Sequence, residues 1–133
     1  MGISDQKINA NSHLGIRVLT IPLAIQSSQT GYAFYRDVIG FPFEITRVRF
    51  YCTSFTNLTN VDVQIGTTSV LTAAIAPTAD TSIAGVLSTT FANTYSTSTT
   101  SILSALFTSG GSAACVNGVI RIDFRPYPVG GYR

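Results

Sequence analysis

The chain has 133 residues, of which 45% are hydrophobic and only 11% charged, with eight Lys or Arg against six Asp or Glu. Soluble proteins carry about 25% charged residues, and the formal charge of +2 gives no compositional signal of a nucleic-acid or membrane-surface binder. The length suits one domain, since single domains commonly run about 100 to 150 residues, and such a chain buries roughly two thirds of its unfolded surface without needing a metal or a disulfide.

Ser and Thr, about a quarter of the chain, supply the surface polarity that charge does not, and Lys7 is the single lysine. A mean hydropathy of +0.32 with so few charges predicts that some surface is covered by neighbours in an assembly; an all-β monomer with a threonine-rich exterior is the plainer alternative. No run of about 18 apolar residues occurs. The opening MGISDQKINANSH has no apolar stretch of signal-peptide type, so neither a membrane helix nor a secretory leader is expected. Without a leader, Cys52 and Cys115 read as free buried thiols more readily than as a disulfide.

Residues 1–14 lack periodicity and are expected to form a flexible N-terminal arm. From 16 to 25, IRVLTIPLAI alternates, and Pro22, which has no amide hydrogen, places this strand at an edge or a bend. A polar turn follows, then a weaker strand over 32–39 ended by Gly40 and Pro42. The third strand is predicted over 43–55, closed by TNLTN. NVDVQI, 60–65, sets Val61, Val63 and Ile65 against Asp62 and Gln64, the signature of one dry and one wet face. Residues 70–75 fit either a strand or one helical turn. Strands are expected over 83–91 and 101–108, with a polar loop between them. SGGSA, 109–113, is predicted as a turn before the last strand, 116–126. Pro126 and Pro128 stop that strand, and 127–133 read as a C-terminal arm.

About eight strands, spaced ten to fifteen residues apart with no amphipathic helix between them, predict an all-β antiparallel sandwich over 15–126. Two segments stand out. EITRVRFYC, 44–52, and VIRIDFRP, 119–126, both alternate apolar and polar residues, and each places its arginines an even number of positions apart: Arg47 and Arg49, Arg121 and Arg125. In a strand, even spacing sends side chains out of one face. Val48, Phe50 and Cys52, and Ile120, Ile122 and Phe124, are the expected core positions. Arg47, Arg49 and Tyr51 are expected to share the outward face with Ile45. That face resembles a small nucleic-acid platform, but Glu44, Asp62 and Asp123 are expected to offset its charge as cross-strand partners.

Catalytic chemistry has little to work with. His13, the single histidine, lies in the expected arm, where no third group would orient it. One His and two distant Cys make no zinc site. Asp5, Asp37, Glu44, Asp62, Asp80 and Asp123 each read as turn or wet-face residues rather than a glycosidase pair. Gly110-Gly111 lacks the Lys and the helix of a phosphate loop. No enzyme activity, cofactor, nucleic acid or membrane partner is expected.

Residues 16–126 resemble the small jelly-roll decoration (cement) proteins of tailed bacteriophage capsids. The resemblance rests on Pro42, Ile45 and Val48, then Val61, Val63, Ile65 and Gly66, and finally Gly118, Ile120, Ile122 and Phe124. It implies an eight-stranded jelly roll, usually a homotrimer, seated on the major capsid protein lattice at the virion surface after assembly in the host cytoplasm. It also implies arms that reach over neighbours. Arg47, Arg49, Tyr51, Arg121, Arg125, Tyr127 and Tyr132 are then the expected subunit or capsid interface. The alternative is a carbohydrate- or receptor-binding module of a phage fibre or tail, motivated by Tyr32, Tyr35, Tyr51 and Tyr95.

Overall fold

One strand organises the whole molecule. The computed structural model describes residues 15–29 and 33–127, with the backbone alone for 26–29. Strands β1 (Arg17–Gln29), β2 (Ala33–Val38), β3 (Phe43–Tyr51), β4 (Ser54–Ile65), β5 (Thr68–Ser69), β6 (Ile83–Ala84) and β7 (Tyr95–Ser96) precede β8 (Ile102–Pro126), and a single 3-10 turn spans Phe91–Asn93. Four strands pair directly with β8, all antiparallel. Its C-terminal half lies between β1 and β3, and its N-terminal half between β2 and β4. The result is the all-β, antiparallel, jelly-roll-like sandwich of eight strands that the sequence predicts. The arm expected over 1–14 lies outside the described residues, as does all but Tyr127 of the arm expected over 127–133.

Period-two alternation builds the interior. Val48, Phe50 and Cys52 from β3 and its exit, and Ile120 and Ile122 from β8, are buried, with Phe124 close behind. Val61 and Val63 of β4 join them, with Ile21, Leu23 and Ile25 of β1. Each such Val, Leu, Ile or Phe contributes roughly 1.5 to 3 kcal/mol on burial. Gly118 belongs to this interior for lack of space: a Cβ there would stand 2.5 Å from the Cys115 sulfur and 2.7 Å from the Leu23 carbonyl.

The alternation is not continuous, and its interruptions correct three expectations. In β3, Ile45 faces Phe124 and Arg47 faces Asp123, so Thr46 is an extra residue, a β-bulge. The inward positions are Phe43 and Ile45 before it, Val48 and Phe50 after it. Ile45 is therefore a core residue and does not share the outward face with Arg47, Arg49 and Tyr51. Second, the strand expected over 43–55 ends at Tyr51, and TNLTN runs inside β4 instead of closing β3. Third, SGGSA is not a turn between strands but part of β8. There β8 advances five residues, Ser109 to Ala114, while β4 advances two, Leu58 to Thr56.

Asn57 absorbs the mismatch in a left-handed conformation (φ 55°), and its amide donates to the Ser112 carbonyl at 2.8 Å. Asn117 does the same service further on (φ 54°), where inward positions of β8 switch from Ala113 and Cys115 to Gly118 and Ile120. Asn and Gly tolerate such backbone angles, so they serve bulges as well as turns.

The middle of the chain departs furthest from expectation. Residues 70–75 form neither a strand nor a helical turn; Leu71 and Ile75 each make an isolated bridge, to Leu87 and Val61. Of the strand expected over 83–91, Ile83 and Ala84 form a two-residue strand against Phe50 and Arg49, and Leu87 makes the lone bridge to Leu71. Cys52 and Cys115 are both free and buried.

Candidate contact surface

The bulge at Thr46 decides what the outer face of β1, β8 and β3 displays. Beyond it, Arg47, Arg49 and Tyr51 point outward, and the register sets them across from Asp123, Arg121 and Val119. On the other side of β8, Val18, Thr20 and Pro22 of β1 stand opposite Asp123, Arg121 and Val119. Three rows result: Val18, Asp123, Arg47; Thr20, Arg121, Arg49; Pro22, Val119, Tyr51. Ala84 of β6 extends the central row beyond Arg49.

Nearer the chain end, Glu44 and Arg125 are cross-strand partners and form an ion pair, Arg125 Nε donating to Glu44 Oε1 at 3.0 Å. It is the one ion pair among the described residues. Arg47, Arg49 and Arg121 have no carboxylate within ion-pair reach there, so of the cross-strand partners expected in Glu44, Asp62 and Asp123, Glu44 alone forms an ion pair, with Arg125. Asp62, expected among their partners, lies on β4 opposite Leu106 and accepts from the Ser69 hydroxyl at 2.6 Å. Asp123 is beside Arg47 in register, yet its Oδ1 is shut off from solvent without a hydrogen bond, and so is Arg49 Nε.

Tyr51 closes the far end of the face. Its hydroxyl donates to Asp80 Oδ1, and that hydrogen bond is the main reason its phenol is raised above the usual range. At the opposite end, Tyr127 is held by its amide, which donates to the Pro42 carbonyl at 3.0 Å. Its ring stacks on Tyr95, centroids 4.3 Å apart. Phe91 lies against Tyr95 at 4.7 Å and near Tyr127 at 6.4 Å.

Six of the seven residues expected from the sequence are thus found along β3, β8 and the residue after it, and the seventh, Tyr132, lies outside the described residues. What sequence reasoning missed is Phe91, whose partners come from distant positions, and the apolar edge. Ile16 is 50% and Val18 48% exposed, two large aliphatic side chains at the margin of the arginine rows. Arg17 between them stacks over Phe41 at 5.0 Å, a cation–π contact.

Among the described residues no three His, Cys, Asp or Glu come close enough to hold a metal ion, and no helix is long and apolar enough to cross a membrane.

No protein-family model matches the chain, and no curated protein does. Among solved structures, the chain is similar to part of a chain in the structure of infectious bursal disease virus Gt strain, with a TM-score of 0.37 and 16% identity over 81% of this chain and 33% of that one. The Gx strain gives a TM-score of 0.35 and 16% identity over 86% and 37%. The VP2 subviral particle of the same virus gives 0.31 and 17% over 86% and 38%. The chain spans between 33% and 38% of the length of each.

Proposed function

We propose that the chain is a non-enzymatic structural virion protein of decoration or cement type, which adds to the major capsid protein lattice and stabilises it through contact area. The observation that carries this reading is the outer face of β1, β8 and β3. It sets three arginines lacking carboxylate partners among the described residues beside the exposed Ile16 and Val18. Apolar side chains grouped with unsatisfied charge favour a face covered by another protein. A homo-oligomer, a trimer by the sequence resemblance, is the expected assembly unit.

Co-sedimentation with capsids that lack this protein tests the reading. The double variant Arg47→Glu, Arg49→Glu is expected to lose capsid binding at least tenfold while its thermal midpoint stays near that of the parent. A parent chain that is monomeric by light scattering at every concentration and shows no affinity for capsids would overturn it.

A second reading, a carbohydrate- or receptor-binding module of a fibre or tail, draws on the cluster of Phe91, Tyr95 and Tyr127, since aromatic clusters with polar edges suit sugar contact. Glycan binding that is lost on Phe91→Ala would favour it over the first.

A further inference from the structure

The central row of the outer face places Arg49 directly across from Arg121. Side chains so opposed have Cβ atoms about 4.5 to 5.5 Å apart, and like charges in that relation destabilise a sheet. Both of their outer neighbours in the row, Thr20 and Ala84, are uncharged, and Arg47 adds a third guanidinium one position along. Asp123 is a single carboxylate facing three cations. Arg49 is half-buried with its Nε covered and unpartnered, so its stem lies along the sheet and the outer edge of its guanidinium remains for another group.

We infer that Arg49 and Arg121, assisted by Arg47, form a binding site for one carboxylate side chain presented by the protein partner that this face contacts. A carboxylate placed between two guanidinium planes accepts paired N–H bonds from each, the geometry arginine favours over lysine, and it converts a repulsion into two attractions. The surroundings select a carboxylate over a nucleic-acid backbone. Asp123 and Asp80, the latter held at the edge by Tyr51, put negative charge on both sides of the arginines. A row of phosphates would run into that charge, and one carboxylate would not. Val18, Pro22 and Val119 flank the site with apolar surface that strengthens a charged hydrogen bond once water is expelled.

The inference rests on reading this face as a contact surface, but it can be tested without a capsid. Nitrogen-15 spectra of the arginine Nε–Hε groups and of the Arg49 and Arg121 amides are followed while sodium glutarate, and separately a short oligothymidylate, is added. Saturable shifts at Arg49 and Arg121 with glutarate in about the millimolar range are expected, weakened at least tenfold in Arg49→Gln, Arg121→Gln. Should that double variant not fold, Arg121→Lys, which keeps the charge and loses the paired geometry, is expected to weaken binding several-fold. Absence of shifts, shifts that persist in the variants, or tighter binding of the oligonucleotide with steep salt dependence each overturns the inference. A chain that binds glutarate in this way yet ignores capsids overturns the decoration reading and leaves the site standing.

Discussion

Arg121 and Arg125 leave the same face of the same strand four residues apart, yet one meets another arginine and the other meets Glu44. Composition is the same at both ends of the row; register is what differs. Between Glu44 and Arg49 lies the one-residue bulge at Thr46, which advances β3 against β8 and so decides which charge each β8 arginine confronts. The paired end is completed within the chain, and the opposed end leaves both guanidinium groups without a carboxylate partner among the described residues. A surface charge is thus informative about partners only once its neighbour on the adjacent strand is known.

Shifting the phase of β3 has the largest expected effect. Deleting Thr46 itself leaves Phe43, Ile45, Val48 and Phe50 on one face, whereas deleting Arg49, beyond the bulge, either keeps the bulge and turns Phe50 outward or loses it and turns Arg47 inward with Val48 outward. Burying an unpaired arginine costs several kcal/mol, against a total stability of about 5 to 15 kcal/mol for a domain. The Arg49 deletion is expected to show no cooperative thermal transition by circular dichroism and the Thr46 deletion a sharp one; the reverse would mean that the bulge does not set the phase of the strand.

The inward face of β8 offers a probe of burial that involves no arginine. Burial, together with its neighbour Cys52, pushes the Cys115 thiol up to about 12 from an ordinary 9.0. The folded state therefore favours the neutral thiol, so its contribution is fully present below pH 9.0 and is lost as pH climbs toward about 12. Urea midpoints are expected to fall over that window by more than any single charge substitution on the outer face produces. Cys115→Ala is expected to flatten the fall, leaving the share due to Cys52 and the tyrosines; an unchanged slope would place Cys115 in a wetter site than its burial implies.

Smallest, and most direct, is the contrast between the two ends themselves. Arg125→Gln breaks an ion pair that is half-exposed on the arginine side and is expected to cost about 0.2 to 1 kcal/mol. Arg121→Gln removes one of two opposed like charges and is expected to stabilise the isolated chain by a similar amount. Both differences should shrink at about 1 M salt, where screening acts within about 3 Å. Equal signs for the two substitutions in chemical denaturation would erase the distinction drawn between the ends.

Much of this was legible in the residues. The dry faces of 48–52, 61–63 and 120–124 follow from strict alternation of large apolar side chains, which a sheet buried on one side requires. The arginines' common face followed from even spacing. What alternation cannot reveal is where it slips. Thr46 carries no mark of a bulge, and the segments that do carry marks, TNLTN and SGGSA, show the Asn and Gly that a turn would also use. Their left-handed backbone angles serve an excursion inside a strand here. Residues 70–100 carry no legible pattern because their pairings are two-residue strands and lone bridges, too short for any period to declare itself. For the outer face of β3 and β8, even spacing marks the arginines and the fold supplies their opposition; Arg49 against Arg121 is a relation between residues 72 positions apart, invisible to a local pattern.

The position of β8 in the chain has a consequence for how the molecule comes into being. β1 and β2 pair with β8 alone, and β3 and β4 find their long partner there too. During synthesis, the strands up to residue 101 emerge with open edges and no common partner, a state in which exposed strands invite association with other nascent chains. Folding must then close its longest loops at the end, which makes such topologies slow. Between residues 76 and 101 aliphatic runs are sparse and threonines and serines abundant, a composition that leaves little apolar surface for such association while β8 is still to come.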